Sequence, residues 1–276
     1  MTLLERNAFF KIMIGFCAVC TLLILAVSFL LVPLYPEMEE SVRRPASIFQ
    51  GISGLFLKSN YLAVHAALAV SVLFSFLGIM LIHSSFERTA APEILYIAIF
   101  AISFAFEAIR LILPLHLIYN FPSFYVRLAV RLLLFARFFG IFSLFAAGIC
   151  AAGLEVQKTR NVIFITIIAT LIITMGVPID VLNWDTGLNM VNGYSSMFRM
   201  IEMVIFLTTV ISFYIAAKIR GTKEYTYAAV GVLLAWAGRS ILLGADNWAC
   251  PATGILLLSI GTGFLCSKLH KIHLWL

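Results

Sequence analysis

A chain of 276 residues with 62% hydrophobic and 12% charged residues, and a mean hydropathy of +1.05, cannot fold as a soluble globule, in which about 25% of residues are charged. The net charge of +6 is confined largely to one set of loops, so it reads as a membrane-orientation signal and implies no nucleic-acid partner. A soluble extra domain is also excluded, because the longest stretch between apolar runs, 33–59, has 27 residues.

Apolar runs of about 20 residues, long enough for a helix to cross the bilayer, fall at 8–32, 60–83, 94–118, 124–153, 161–183, 195–217, 225–244 and 251–267. They are continuously apolar and do not alternate with a period of two, which excludes a β-barrel. The expected fold is an all-α, polytopic bundle of eight spans forming one integral membrane domain over 1–276. A seven-span form, in which 251–267 fails to cross, is the alternative. The expected surroundings are a lipid bilayer, either a plasma membrane or a bacterial inner membrane.

The first run follows Arg6 and Lys11, is too long for a secretory signal and has no small-residue cleavage site after it, so it reads as a retained helix. Cys17 and Cys20 form a C-x-x-C inside it, read as small buried residues and not as a redox or metal motif.

The stretch 33–59 carries Pro33, Pro36, the acidic Glu37, Glu39 and Glu40, then Arg43, Arg44 and Pro45, and ends in a largely apolar segment expected as an interfacial helix in an outer loop. The second run offers Ala63, Ala66, Ala67 and Ala69, the fourth Gly148 and Ala152, and the seventh Gly231 and Ala235. Such spacings let helix backbones approach closely.

With the first run entering from the cytoplasm, the cytoplasmic segments hold Arg6, Lys11, Arg88, Lys158, Arg160, Lys218, Arg220, Lys223, Lys268 and Lys271, against Arg43, Arg44 and Lys58 outside. That excess places both termini in the cytoplasm. Residues 267–276 then form a short cytoplasmic tail, whose apolar side chains suit contact with a cytoplasmic protein partner.

Asn60-Tyr61, Asn120-Phe121, Asn183-Trp184 and Asn247-Trp248 repeat an Asn–aromatic pair at outer helix ends. Duplicated hairpins would produce this rhythm, and so would the ordinary preference of Asn for turns and aromatics for interfaces.

Function is expected where the spans carry charge. Glu107, Arg110, Arg127, Arg131, Arg137, Asp180, Arg199, Glu202 and Arg239 lie within or near the ends of apolar runs. A central Arg or Asp costs roughly 2.5–3.5 kcal/mol to insert, so nine facing lipid would cost on the order of 20 kcal/mol. They should face inward.

Counted along the spans, Arg137 falls near the midplane, and the others, with the flanking Asp185 and Asp246, cluster in the outer half. Glu107 and Arg110 are i,i+3, as are Arg199 and Glu202, while Arg127 and Arg131 are i,i+4, so each pair shares a helix face. Every cation in the set is Arg, whose planar fork suits carboxylate or phosphate. Pro114 and Pro178 are expected to kink the third and fifth spans beside them.

Arg110, Arg127, Arg131, Arg137, Arg199 and Arg239 face Glu107, Asp180, Asp185, Glu202 and Asp246, six cations against five anions. This near balance fits a structural ion-pair network and also an outward-facing pocket for a small anionic or zwitterionic ligand. The expected ligand-binding set is Glu107, Arg110, Arg127, Arg131, Asp180, Arg199, Glu202 and Arg239.

The cytoplasmic half offers few polar residues to line an exit, so receptor-like binding is favoured over transport. An intramembrane enzyme acting on a lipid or lipid-linked substrate is the alternative class, and a structural or accessory subunit the third. No nucleophile–base pair stands at a recognisable spacing, which favours binding over catalysis. No catalytic residue is assigned. His65 and His116 do not form a zinc-hydrolase motif, and neither a metal nor a cofactor is expected.

Overall fold

The computed structural model describes residues 3–31, 59–87, 89, 91–153, 159–179, 184, 185, 187–191 and 193–274. The expected interfacial helix of 33–59 lies outside these residues except for Ser59.

The bundle is all-α, and the described residues form eight helices long and apolar enough to span a membrane: α1 (Leu3–Leu31), α2 (Tyr61–Phe86), α3 (Pro92–Tyr119), α4 (Ser123–Ala151), α5 (Thr159–Gly176), α6 (Ser195–Arg220), α7 (Glu224–Leu243) and α8 (Ala249–Leu274). The eighth run is therefore a full-length helix, in favour of the eight-span form. It carries on through Ser267 to Leu274, so the expected tail begins as helix.

Two sets of contacts show that neighbouring helices run in opposite directions. On the terminal side, Arg6 of α1 donates to the carbonyls of Phe86 (2.7 Å), Glu87 and Thr89 at the end of α2. There Lys268 and Lys271 of α8 pair with Glu224 at the start of α7, at 3.1 and 3.0 Å. On the far side, the Asn60 N–H donates to the Asp246 carbonyl at 2.8 Å, joining the start of α2 to the α7–α8 turn.

Helix α3 occupies the centre: 89% of its most apolar window is buried, against 17% for α1 and 22% for α5. Helices α1, α2 and α4 pack around it, and α6, α7 and α8 continue the wall from α4 back to α2. Helix α5 packs chiefly on α4. Its buried face is a row of Thr166, Thr170 and Thr174, each hydroxyl donating to the carbonyl four residues earlier, which satisfies it inside the apolar layer.

The close approaches expected in the fourth and seventh helices occur. A Cβ on Gly148 would lie 3.0 Å from Ser212 Cβ of α6, and one on Gly231 would lie 2.9 Å from the Gly261 carbonyl of α8. The α7–α8 pair is the most closely packed, with Gly238 facing the Leu258 backbone and Gly261 facing that of Ala235.

Two of the Asn–aromatic pairs begin helices and a third ends one. The Asn60 side chain caps α2 by accepting from Leu62 N, Asn120 ends α3 in the left-handed region at φ 50°, and Asn247 caps α8 by accepting from Ala249 N and Cys250 N. Turn and cap chemistry accounts for each of these three. Asn183 lies outside the described residues.

Two expectations about helix breaks change. The fifth helix stops at Gly176 and not at 183, because Pro178 cannot donate a backbone hydrogen bond and the chain leaves the helix before it. The irregular stretch that follows turns inward: Val177, Ile179, Leu188 and Met190 are buried, and Trp184 bridges to Met190. In α3 the departure from α-geometry precedes Pro114. Phe104–Leu111 forms a 3₁₀ stretch between α-helical Pro92–Ser103 and Ile112–Tyr119.

Candidate functional site: a buried ionic centre

The 3₁₀ stretch explains how α3 presents its charges. At three residues per turn, positions i and i+3 eclipse, so Phe104, Glu107 and Arg110 form one row, and all three are buried. Glu107 and Arg110 are each 2% exposed and meet at 3.4 Å, from Arg110 Nη1 to Glu107 Oε2.

The stronger partner of Glu107 comes from α4. Arg137 donates through Nε to Oε1 at 2.8 Å and through Nη2 to Oε2 at 2.7 Å, a two-pronged clasp. Its Nη2 also donates to Asn189 Oδ1 at 2.8 Å.

Asn189 belongs to the irregular segment after α5, which has its own scaffold. Asp185 Oδ1 accepts from the backbone N–H of Gly187 (3.0 Å) and of Asn189 (2.8 Å), closing an Asx-type turn. Asn189 Nδ2 then donates to the Leu243 carbonyl at the end of α7. Non-helical backbone at a helix-bundle mouth is tolerated where protein buries it and satisfies its polar groups. Of its described residues, Gly187 and Leu188 are buried and Asn189 is fastened to Arg137 and α7.

A third arginine closes the cluster from α7. Arg239, 2% exposed, reaches Glu202 of α6 at 3.4 Å and the Arg137 carbonyl at 3.5 Å. Arg110, Arg137 and Arg239 thus stand with Glu107, Glu202 and Asp185, drawn from α3, α4, α6, α7 and the post-α5 segment.

The pairing leaves one guanidinium incomplete. Among the described residues, Arg110 Nε and Nη2 have no hydrogen-bond partner. The post-α5 segment passes beside this edge at Gly187, where a Cβ would lie 3.4 Å from Arg110 Nη2.

Of the eight residues expected to bind a ligand, Glu107, Arg110, Glu202 and Arg239 enter the cluster. Arg131 sits to one side and donates from Nη1 to the Met175 carbonyl at 3.4 Å, satisfying the C-terminal end of α5. Arg127 and Arg199 are exposed and make no ion pair among the described residues. Each lies one turn inside its helix, from where a long side chain reaches the interface. Asp180 lies outside the described residues.

Arg137 gains a central place that spacing along α4 alone did not indicate. Asn189 was not anticipated at all; the only local sign is Asp185-Thr186-Gly187, a turn-forming run four residues upstream.

Toward the terminal side, aromatic rings fill the bundle at mid-depth. Phe206 stacks on Trp236 with centroids 4.3 Å apart, and Phe104 meets both Phe74 and Phe100 edge-on. A shallow groove lined by Arg160, Asn161 and Phe164 lies on α5 at the terminal side, away from these charges. Among the described residues, no three His, Cys, Asp or Glu side chains converge as metal ligands.

No family model matches this chain. The chain is similar, at 20% identity over 69% of each sequence, to an uncharacterized protein of Treponema pallidum (strain Nichols).

Proposed function

We propose that this multi-span protein is a receptor of a plasma membrane or bacterial inner membrane, which binds a small anionic or zwitterionic molecule at the far-side ionic centre. The observation that carries this reading is Arg110: a buried guanidinium with two of its three nitrogens unpartnered among the described residues, beside a non-helical segment. A buried donor left unsatisfied costs about 1–3 kcal/mol, more when charged, and an anion entering from the far side supplies the missing acceptors.

Binding is preferred to transport because, among the described residues, aromatic rings fill the bundle between the ionic centre and the terminal side. The rings of Phe104, Phe206 and Trp236 occupy the layer that a carrier would have to open. It is preferred to catalysis because the carboxylates are already engaged: Glu107 by Arg137 and Arg110, Asp185 by the turn it closes, Glu202 by Arg239. Arg127 and Arg131, an α4 pair whose guanidinium groups would suit a phosphate, lie apart from them. As a receptor the protein signals through a separate cytoplasmic partner that engages the end of α8.

The test uses the full chain in lipid nanodiscs, screened by thermal shift against carboxylates, phosphates and amino acids, with parallel uptake assays in proteoliposomes. A ligand-dependent rise in melting temperature without uptake is expected. Saturable uptake makes the protein a carrier, and no shift with any compound reduces the centre to a closed ion-pair network.

A further inference from the structure

We propose that Arg110 grips its ligand side-on, through the Nε and Nη2 edge of the guanidinium, and that the ligand therefore presents two coplanar oxygens of a carboxylate or phosphate group. This inference rests on the receptor reading above and names the chemistry of its ligand.

The cluster contains its own template. Arg137 turns the Nε/Nη2 edge to a carboxylate, with Nε to Oε1 of Glu107 at 2.8 Å and Nη2 to Oε2 at 2.7 Å. That edge is a fork whose two donors match the two oxygens of one oxyanion. On Arg110 the same two nitrogens are the ones without a partner among the described residues, while Nη1 alone reaches Glu107, at 3.4 Å. The protein thus displays one filled fork and one unfilled fork within a single centre.

The geometry around the unfilled fork favours a small group. Gly187 stands over Nη2, and a Cβ there would lie 3.4 Å from Nη2, 3.2 Å from Asn189 Nδ2 and 3.3 Å from the Ala245 carbonyl. Glycine keeps the segment's backbone close without placing a side chain against the fork.

The donors also set selectivity. Arginine offers no acceptor, so a neutral amide, with one oxygen and one N–H donor, satisfies half of the edge and opposes the other half. A carboxylate or phosphate satisfies both.

Titration calorimetry on the full chain in nanodiscs tests the fork with acetate, benzoate and inorganic phosphate, against acetamide and benzamide. At least one oxyanion is expected to bind saturably, and its amide not to. The comparison of acetate with phosphate shows which oxyanion the site takes.

Arg110→Lys retains the charge opposite Glu107 but lacks the fork, and is expected to weaken oxyanion binding about tenfold or more. Gly187→Ala, which leaves Arg110 in place, is expected to weaken it as well, whereas Arg160→Gln on the terminal side leaves it unchanged. Wild-type affinity in Arg110→Lys, or an amide binding as tightly as its carboxylate, overturns the fork and leaves the receptor reading standing. Failure of all three oxyanions to bind the wild type also overturns the fork; compounds from the wider panel that still shift melting keep the receptor reading without it.

Discussion

Two groups of arginines, both represented on α4, come from apolar helices and meet opposite fates. Arg110, Arg137 and Arg239 are enclosed and face carboxylates, whereas Arg127 and Arg199 are exposed and unpaired among the described residues. Depth explains part of the difference. Arg137 lies 14 residues beyond Ser123, the first residue of α4, about 21 Å along the axis at 1.5 Å per residue, too deep for its side chain to reach the interface. Arg127 lies 4 residues beyond the same Ser123 and reaches it. Arg239 shows that depth is not sufficient: it too lies 4 residues from a helix end, Leu243, yet it is buried. The face of α7 that carries it turns toward Glu202, so orientation decides where depth does not.

The largest effect that would sharpen this contrast is expected from Glu107→Gln. It leaves Arg110 and Arg137 enclosed without their counter-charge and should destabilise the bundle by about 3–5 kcal/mol. Thermal unfolding in nanodiscs measures this, and a loss no greater than that of Arg127→Gln would erase the distinction between the two groups.

Next comes the cycle of Glu107→Gln with Arg137→Met. The double variant should be less destabilised than the sum of the singles, with a coupling of about 1–3 kcal/mol for two residues in contact. Additive losses would mean that the clasp contributes nothing specific.

Asn189→Ala, which removes hydrogen bonds to Arg137 and the Leu243 carbonyl, should cost about 1 kcal/mol. It should also raise hydrogen exchange in the segment around Gly187; unchanged exchange would show that Asn189 does not fasten it. The smallest effects belong to Arg127→Gln and Arg199→Gln, each within about 0.5 kcal/mol of wild type. A larger loss in either would show that it has a partner in the membrane-embedded protein.

Much of the bundle was legible because a helix crossing lipid must bury its backbone polarity within itself and extend over about 20 apolar residues. The fifth span misled for a physical reason. Val177 and Ile179 continue the apolar pattern past Gly176, but they are buried as irregular backbone and not as helix. Hydrophobicity reports exclusion from water, while Pro178 decides geometry.

In the ionic centre, Glu107 with Arg110 was legible because both lie on one helix, three residues apart. The clasp between Glu107 and Arg137 was not, since it depends on how two helices are rotated against each other. Asn189 was hidden for another reason: it stands in a turn, where a polar residue attracts no notice, and only the fold brings it beneath α4.

The 3₁₀ stretch of α3 has a consequence for phase. Each 3₁₀ residue turns the chain by about 120° and advances it about 2.0 Å, against 100° and 1.5 Å in an α-helix. Eight such residues, Phe104–Leu111, make α3 about 4 Å longer than the same residues would be as α-helix. The four steps from Glu107 to Leu111 add about 80° of rotation to everything beyond them. A wheel drawn with one period along α3 puts His116 opposite Glu107; with the extra turn, His116 comes round toward the flank. The far-side end of the central helix is thus wound to a different compass bearing from its terminal-side end.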